Sequence, residues 1–224
     1  ATAAPVTASS PHIAAALIDP RRTDANRERD ALRHPAEILA FAGALRKGST
    51  NKKTVLVAVE GARRAGAEVN YIDLRDFPVP PYDGDIEASE GLPENAIRLQ
   101  ELMLEHDGFL ISSPEYNSSI PGTFKNYIDW TSRPRGELKA GACYGGKAVS
   151  LMMASPGSLG GIRALPTVRS ILGTMGVHVL PEDFCVSRSD KAFDENGVPV
   201  DDFVRERLES LGENLVEFLR KLKS

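Results

Sequence analysis

The polar loop at residues 113–119 follows an apolar run and precedes a segment with helical spacing. The run 108–111 predicts a strand that ends near Ser112. Pro121 suits the first turn of the next helix, because that position needs no N–H donor. The loop therefore lies at the carboxyl end of a strand, where open α/β sheets bind ligands. Its backbone N–H groups can meet the polar rim of a flat ring, and Tyr116 can cover the face of that ring.

A second segment, Gly43–Asn51, combines small residues, hydroxyl groups and two cations at the mouth of a predicted helix. A helix N-terminus offers free N–H groups and a positive dipole end to a phosphate. Arg46 can add a bidentate contact to the same phosphate. The alternative is a solvent-facing turn in which a serine or threonine caps the helix. The segment is interpreted as a phosphate cradle.

The third candidate loop is glycine-rich and spans residues 155–164, directly after an apolar run. Glycines let a backbone approach a flat ligand closely, because they carry no Cβ. A glycine-rich loop is weak evidence by itself. Its position after a strand, like the other two loops, is what makes it a candidate.

Alternating apolar runs and helical patterns must position these loops. Strands are predicted at 37–42, 69–74, 108–112 and 147–154, with a fifth built from 177–180 and 184–186. Helices are predicted at about 55–65 and 93–106 and over 204–222. Two more are predicted, one that begins near residue 121 and one that follows the glycine-rich loop and ends near residue 175. The apolar stripe of the last helix is Val204, Leu208, Leu211, Leu215, Phe218 and Leu222. Such alternation predicts an α/β protein with a parallel sheet and helices on both faces.

The loop at 113–119 and the helix after it resemble the NADPH-dependent FMN reductase family, flavodoxin-like enzymes that include quinone, azo-dye and chromate reductases. The matching residues are Pro114, Glu115, Tyr116, Asn117, Ser119, Pro121, Gly122, Lys125, Asn126, Asp129 and Trp130. The phosphate segment matches at Gly43, Leu45, Arg46, Ser49 and Asn51. Ala44 replaces a serine of the family, so the resemblance implies one lost hydroxyl contact and a lower FMN affinity.

The resemblance covers roughly residues 36–186 and implies a flavodoxin-like five-stranded parallel sheet in the order 2-1-3-4-5. It implies an FMN site formed by Arg46, Ser49, Asn51, Pro114, Glu115, Tyr116, Asn117, Ser155 and Gly157. It also implies hydride transfer from NADPH or NADH through FMN to a small-molecule electron acceptor: a quinone, an azo compound or a metal oxyanion. The chemistry would reside on FMN, so no catalytic side chain is expected, and Glu115 would shape its loop.

Two alternatives to an enzyme remain open in the sequence. A non-enzymatic electron carrier of the flavodoxin type would have the same fold, although such carriers are usually much more acidic than a net charge of −4. An interaction protein without FMN is the other alternative, because Ala44 departs from the family pattern. Rapid NADPH oxidation with a quinone separates the enzyme from the carrier, and a flavin spectrum separates both from the interaction protein.

Composition limits the partners and the compartment. The chain has 224 residues, of which 42% are apolar, enough for a sizeable core. No basic stripe points to nucleic acid, and no apolar run is long enough to span a membrane. The two cysteines, Cys143 and Cys185, lie far apart and form no metal or redox motif, so a reducing cytoplasm is expected. The four histidines show no ligand spacing, and no metal site is predicted.

Two further expectations concern regions outside the loops. Residues 1–34, rich in small and charged residues, are predicted to be an extension that is an arm or partly disordered, preceding a flavodoxin-like domain at 35–224. Trp130 falls off the apolar stripe of its helix, which predicts that it packs in a homodimer or homotetramer interface. The alternative is that Trp130 caps the core of its own domain.

Overall fold

The computed structural model describes residues 35–223, and the predicted extension at 1–34 lies outside the described residues. Within that range the strands are β1 Glu37–Ala42, β2 Glu68–Ile72, β3 Gly108–Ser113, β4 Ala148–Ala154 and β5 His178–Val186. The helices are α1 Thr50–Arg64, α2 Gly84–Glu90, α3 Glu94–Glu105, α4 Gly122–Thr131, α5 Leu165–Thr174 and α6 Asp202–Lys223. The described helices include none that is long and apolar enough to cross a membrane.

The five strands pair in parallel in the order β2-β1-β3-β4-β5, which confirms the predicted flavodoxin-like sheet. Every residue of β3 and β4 is buried, and so is every residue of β1 after Glu37. These near-continuous apolar runs are what a parallel strand covered on both faces requires. β2 and β5 lie at the edges and are only partly buried.

Two apolar clusters cover the two faces of the sheet. One face packs against α1 and α6, and the other packs against α3, α4 and α5. The contact between α1 and α6 is unusually close at two glycines. A Cβ on Gly61 would lie 2.1 Å from the carbonyl oxygen of Glu209, and one on Gly212 would lie 2.0 Å from that of Ala58. Only glycine fits at both positions, so this crossing fixes how α6 sits on the sheet.

The last helix confirms most of its predicted stripe. Leu208, Leu211 and Leu215 are buried in the core. Leu222 is 48% exposed, however, and Leu219 is buried in its place. The stripe therefore follows the side of α6 that faces α1 and the sheet, and it does not extend into the final turn.

The segment between β2 and α3 differs from the prediction. β2 ends at Ile72, because the side chain of Asp73 accepts a hydrogen bond from the Arg75 N–H at 3.1 Å and begins a short 3₁₀ turn. The helix α2 is also absent from the sequence-based prediction. That helix has no buried residue, so it lacks the apolar periodicity by which helices are recognised. An ion pair between Glu87 and Arg133 fastens it, with Nε and Oε1 at 2.9 Å.

Trp130 lies in the core of its own domain, and the argument that it marks a subunit interface was wrong. The side chain is fully buried. Its Nε1 donates a hydrogen bond to the carbonyl oxygen of Pro80 at 2.8 Å, and its ring meets the Tyr82 ring edge-on with centroids 5.0 Å apart. The extended segment after β2 covers the tryptophan, which the periodicity of α4 by itself does not reveal.

Candidate functional site

Three loops meet at the carboxyl edge of the sheet, after β1, β3 and β4. These strands are neighbours, so their carboxyl ends lie side by side. The Gly43 N–H donates to the carbonyl oxygen of Ser112 at 2.8 Å, joining the first loop to the end of β3. The predicted convergence of the segments 43–51, 113–119 and 155–161 is confirmed.

The first loop presents an uncapped helix N-terminus. α1 begins at Thr50, and Ser49 occupies the N-cap position without making a side-chain capping bond. The Ser49 N–H closes a tight turn onto the carbonyl oxygen of Arg46 at 3.1 Å. The Arg46 side chain is exposed and makes no ion pair within the described part of the chain. An open helix N-terminus beside a free guanidinium fits an anion such as a phosphate.

Ala44 occupies the position where the sequence predicts a lost hydroxyl. Its side chain is 4% exposed and belongs to the apolar cluster under α1. The methyl group of Ala44 packs there without leaving a polar group unpaired. The departure from the family pattern is therefore compatible with the fold.

Asn51 is a predicted cofactor-binding residue, and its side chain is committed within the protein. Its Nδ2 donates to the carbonyl oxygen of Ala154 at 2.8 Å. Its Oδ1 accepts from the Ser112 hydroxyl at 2.8 Å and from the Ala154 N–H at 2.9 Å. Asn51 is 2% exposed, so it ties the start of α1 to the ends of β3 and β4. The direct contribution of this side chain is to the position of the loops.

The second loop is built around a tight turn. Tyr116 and Ser119 pair through both backbone hydrogen bonds, at 2.8 and 3.1 Å. Asn117 and Ser118 between them have φ of 53° and 65°, the combination of a type I′ turn. Pro114 is buried beneath the turn, and the Tyr116 side chain is 57% exposed above it. The turn thus holds an aromatic ring and two backbone N–H groups open at the edge of the sheet.

The third loop is fastened to the β5 side of the sheet. The Ser155 N–H donates to the carbonyl oxygen of Val186 at 3.1 Å, and the Gly157 carbonyl accepts from the Arg188 N–H at 3.1 Å. Gly157 itself is exposed, and a Cβ there would meet only the Ser155 hydroxyl, at 3.7 Å. Gly157 therefore lies at the open surface of the loop, and Ser155 is half-buried at its start.

One residue in contact with the predicted site was missed. Arg163, in the third loop, forms an ion pair with Glu115 in the second loop. The two residues are 48 positions apart, and the periodicity of a helix or strand does not relate residues in loops that follow different strands. The glycine-rich pattern placed Arg163 in the right loop without indicating its partner.

The donor set fits FMN. The uncapped α1 and Arg46 are suited to a phosphate at one end, while the turn at Tyr116 and the open glycine loop are suited to a flat ring at the other. Neither cysteine can act as a thiolate near neutral pH, because burial raises the pKa of Cys143 to about 12 and that of Cys185 to about 11. No group of three or more potential metal ligands occurs among residues 35–223.

Comparison with known proteins assigns the family. Residues 36–191 match the family model of NADPH-dependent FMN reductases. A NAD(P)H-dependent FMN reductase of Pseudomonas aeruginosa is 32% identical over 188 residues, which cover 84% of this chain and 97% of that protein. A quinone reductase of Escherichia coli is 32% identical over 190 residues, with the same two coverages.

A solved structure agrees with these relatives. FerB, a flavoenzyme NAD(P)H:(acceptor) oxidoreductase from Paracoccus denitrificans, superposes with a TM-score of 0.68 at 27% identity. The match covers 83% of this chain and 98% of FerB. The electron-carrier and interaction-protein alternatives are therefore set aside. The chain belongs to the NADPH-dependent FMN reductase family and is an FMN-dependent NAD(P)H oxidoreductase.

Proposed function

We propose that the physiological acceptor is a small conjugated molecule of the quinone class, with azo compounds and metal oxyanions as further acceptors. The observation that carries the proposal is the rim of the site. Tyr116, Leu159 and Ile162 are 57%, 52% and 51% exposed on the two ring-facing loops. Exposed apolar side chains beside a cofactor site favour a flat, largely apolar acceptor. Relatives named as quinone reductases support the same class.

The residues divide the work of binding. Arg46, Ser49 and the N-terminus of α1 hold the phosphate of FMN, because the Arg46 guanidinium is exposed and the Ser49 hydroxyl does not cap the helix. The turn at Tyr116–Asn117 and the loop at Ser155–Gly157 orient the ring. The remaining predicted residues, Asn51, Pro114 and Glu115, act by holding these loops in place.

When bound, FMN supplies the hydride-accepting and electron-donating chemistry that side chains lack. The protein contributes position and access. The exposed Tyr116 side chain lies at the open side of the proposed ring site, where first the nicotinamide and then the acceptor would bind. No side chain is required as a base, which agrees with Glu115 being engaged by Arg163.

The test of the proposal uses the purified protein loaded with FMN. We expect a flavin absorbance spectrum, FMN released on denaturation, and fast NAD(P)H oxidation that depends on added benzoquinone. An azo dye and chromate tested at equal concentration should give lower kcat/KM than the quinone. A protein that stays colourless after incubation with excess FMN would contradict the cofactor assignment. Equal or faster turnover of chromate would contradict the quinone class.

We also propose a homodimer or homotetramer in the cytoplasm. The exposed apolar rim at Tyr116, Leu159 and Ile162 supports an assembly that covers part of it. The two free cysteines, Cys143 and Cys185, support a reducing compartment. Light scattering on the FMN-loaded protein at micromolar concentration should give the mass of two or four chains. A single-chain mass would reject the assembly without affecting the cofactor proposal.

A further inference from the structure

A carboxylate that is almost inaccessible to water links the two ring-facing loops. The Glu115 side chain is 5% exposed, whereas its partner Arg163 is 57% exposed. The carboxylate receives the Arg163 backbone N–H at 3.0 Å and the Nε–H at 2.7 Å, and the terminal guanidinium nitrogen adds a third contact. Both carboxylate oxygens of Glu115 accept from this one residue, so the pair has a defined geometry.

The backbone beside this ion pair is closely packed. Gly160 has φ of +63°, and a Cβ there would lie 2.9 Å from the Cys185 backbone. Gly161 has φ of +98°, and a Cβ there would lie 3.1 Å from Met153 and 3.6 Å from Glu115. The turn that carries Arg163 is thus pressed between β4, β5 and the second loop. A shift of Glu115 or Arg163 must move this turn.

No other hydrogen bond within residues 35–223 joins the second and third loops. The hydrogen bonds of Tyr116 and Ser119 stay within the second loop. Those of Ser155 and Gly157 stay within the third loop or lead to β5 and the segment after it. The distance between the two loops at the ring therefore depends on the Glu115–Arg163 pair and on the packing beneath it.

We propose that Glu115 and Arg163 are positioning residues whose ion pair sets the width of the slot for the flavin ring. The inference rests on the proposed FMN site. The pair is neutral as a whole, so it also adds no net charge next to the ring. Removing one partner leaves the other partner's charge unpaired, and a charge near a flavin changes the midpoint potential of that flavin. A cation favours the reduced form, which carries the added electrons, and an anion disfavours it.

The experiment compares Glu115→Gln, Arg163→Gln and the double variant with the wild-type protein. FMN dissociation constants and flavin midpoint potentials are measured on each, and thermal melting of the apoprotein monitors folding. Each single variant should bind FMN roughly 10- to 150-fold more weakly, the range that corresponds to losing a hydrogen bond to a charged group. The double variant should lose much less FMN affinity than the product of the two single-variant losses. Both single variants break the same ion pair, so the second substitution has little left to remove.

The midpoint potential separates positioning from general destabilisation. Glu115→Gln leaves the Arg163 cation and should raise the potential, and Arg163→Gln leaves the carboxylate and should lower it. The matched control is Arg64→Gln, which removes an arginine of similar exposure, 55%, from the ion pairs between α1 and α6. The control should change neither FMN binding nor the potential.

Two results would overturn the inference. One is an FMN dissociation constant within about twofold of wild type in both single variants, below the smallest effect expected for a broken ion pair of this kind. The other is a shift of the potential in the same direction in both. A wild-type protein that binds no FMN would instead reject the proposed function and the inference together.

Discussion

Two layers of residues at the carboxyl edge of the sheet differ in how many hydrogen-bond partners their side chains have within the protein. The inner layer is Asn51 with Ser112 and the backbone of Ala154, and its side chains are 2% exposed or less. Three hydrogen bonds of 2.8–2.9 Å join the Asn51 amide to the Ser112 hydroxyl and to the backbone N–H and carbonyl of Ala154. The outer layer is Arg46, Tyr116 and the Ser155–Gly157 turn, which are largely open to solvent.

The difference indicates which residues build the site and which bind. A buried polar group that is fully hydrogen-bonded stabilises the fold, because removing it leaves its buried partners without a hydrogen bond. An exposed donor without a protein partner is available to a ligand. The residues that match the family motif include both kinds, Asn51 in the inner layer and Arg46 and Tyr116 in the outer one. The structure separates the two roles.

The largest expected effect is on stability, from Asn51→Ala. The change leaves the Ser112 hydroxyl and both backbone groups of Ala154 without partners, so the free energy of unfolding of the apoprotein should fall by about 2–4 kcal/mol. Urea denaturation measures it. The control Asn70→Ala alters an exposed asparagine on edge strand β2 and should change stability by less than about 0.5 kcal/mol. An Asn51→Ala protein of normal stability that fails to bind FMN would move Asn51 to the outer layer.

The next effect is on binding, from Arg46→Ala. Loss of a charge-assisted contact to the phosphate should weaken FMN binding by about 1.5–3 kcal/mol, while the stability of the apoprotein stays unchanged. Fluorescence titration of the apoprotein with FMN measures it. Arg75→Ala serves as a control, because Arg75 is also exposed but lies in the 3₁₀ turn after β2. An unchanged dissociation constant would place Arg46 in solvent and the phosphate elsewhere.

A smaller effect is expected from Tyr116→Ala. Removing a ring that is 57% exposed costs the apoprotein little, and losing its contact with a flat ligand should weaken FMN binding by about 0.5–1.5 kcal/mol. Tyr116→Phe keeps the ring and should bind FMN normally. The same titration reports both. A drop in apoprotein stability for Tyr116→Ala would show that the turn depends on this ring, contrary to its assignment to the outer layer.

The smallest effect is expected from Ala44→Ser, at the border of the two layers. The added hydroxyl contact to the phosphate is offset by burying a hydroxyl beside apolar neighbours, so FMN binding should tighten by no more than about 1 kcal/mol. The measurement is the same titration, combined with urea denaturation of the apoprotein. Lower stability without tighter binding would mean that the hydroxyl stays among the apolar neighbours of Ala44, which would assign this position to the inner layer.

The sequence by itself determined the architecture and the family. The apolar runs of the central strands and the stripe of α6 carry their periodicity locally, so the sheet and most helices were predicted near their observed bounds. The motif at Pro114–Trp130 indicated the family, and its predicted extent of roughly 36–186 agrees with the matched residues 36–191. The individual FMN contacts stay predictions.

Only the tertiary structure decided which polar and aromatic residues meet. Asn51 and Ala154 are 103 positions apart, Trp130 and Pro80 are 50 apart, and Glu115 and Arg163 are 48 apart. None of these pairs lies within one helix or strand, so the local periodicities do not encode them. Their contacts exist because parallel strands bring distant loops to one edge, and because the segment after β2 folds over α4. Local patterns specify the elements, and the packing of those elements specifies the partners.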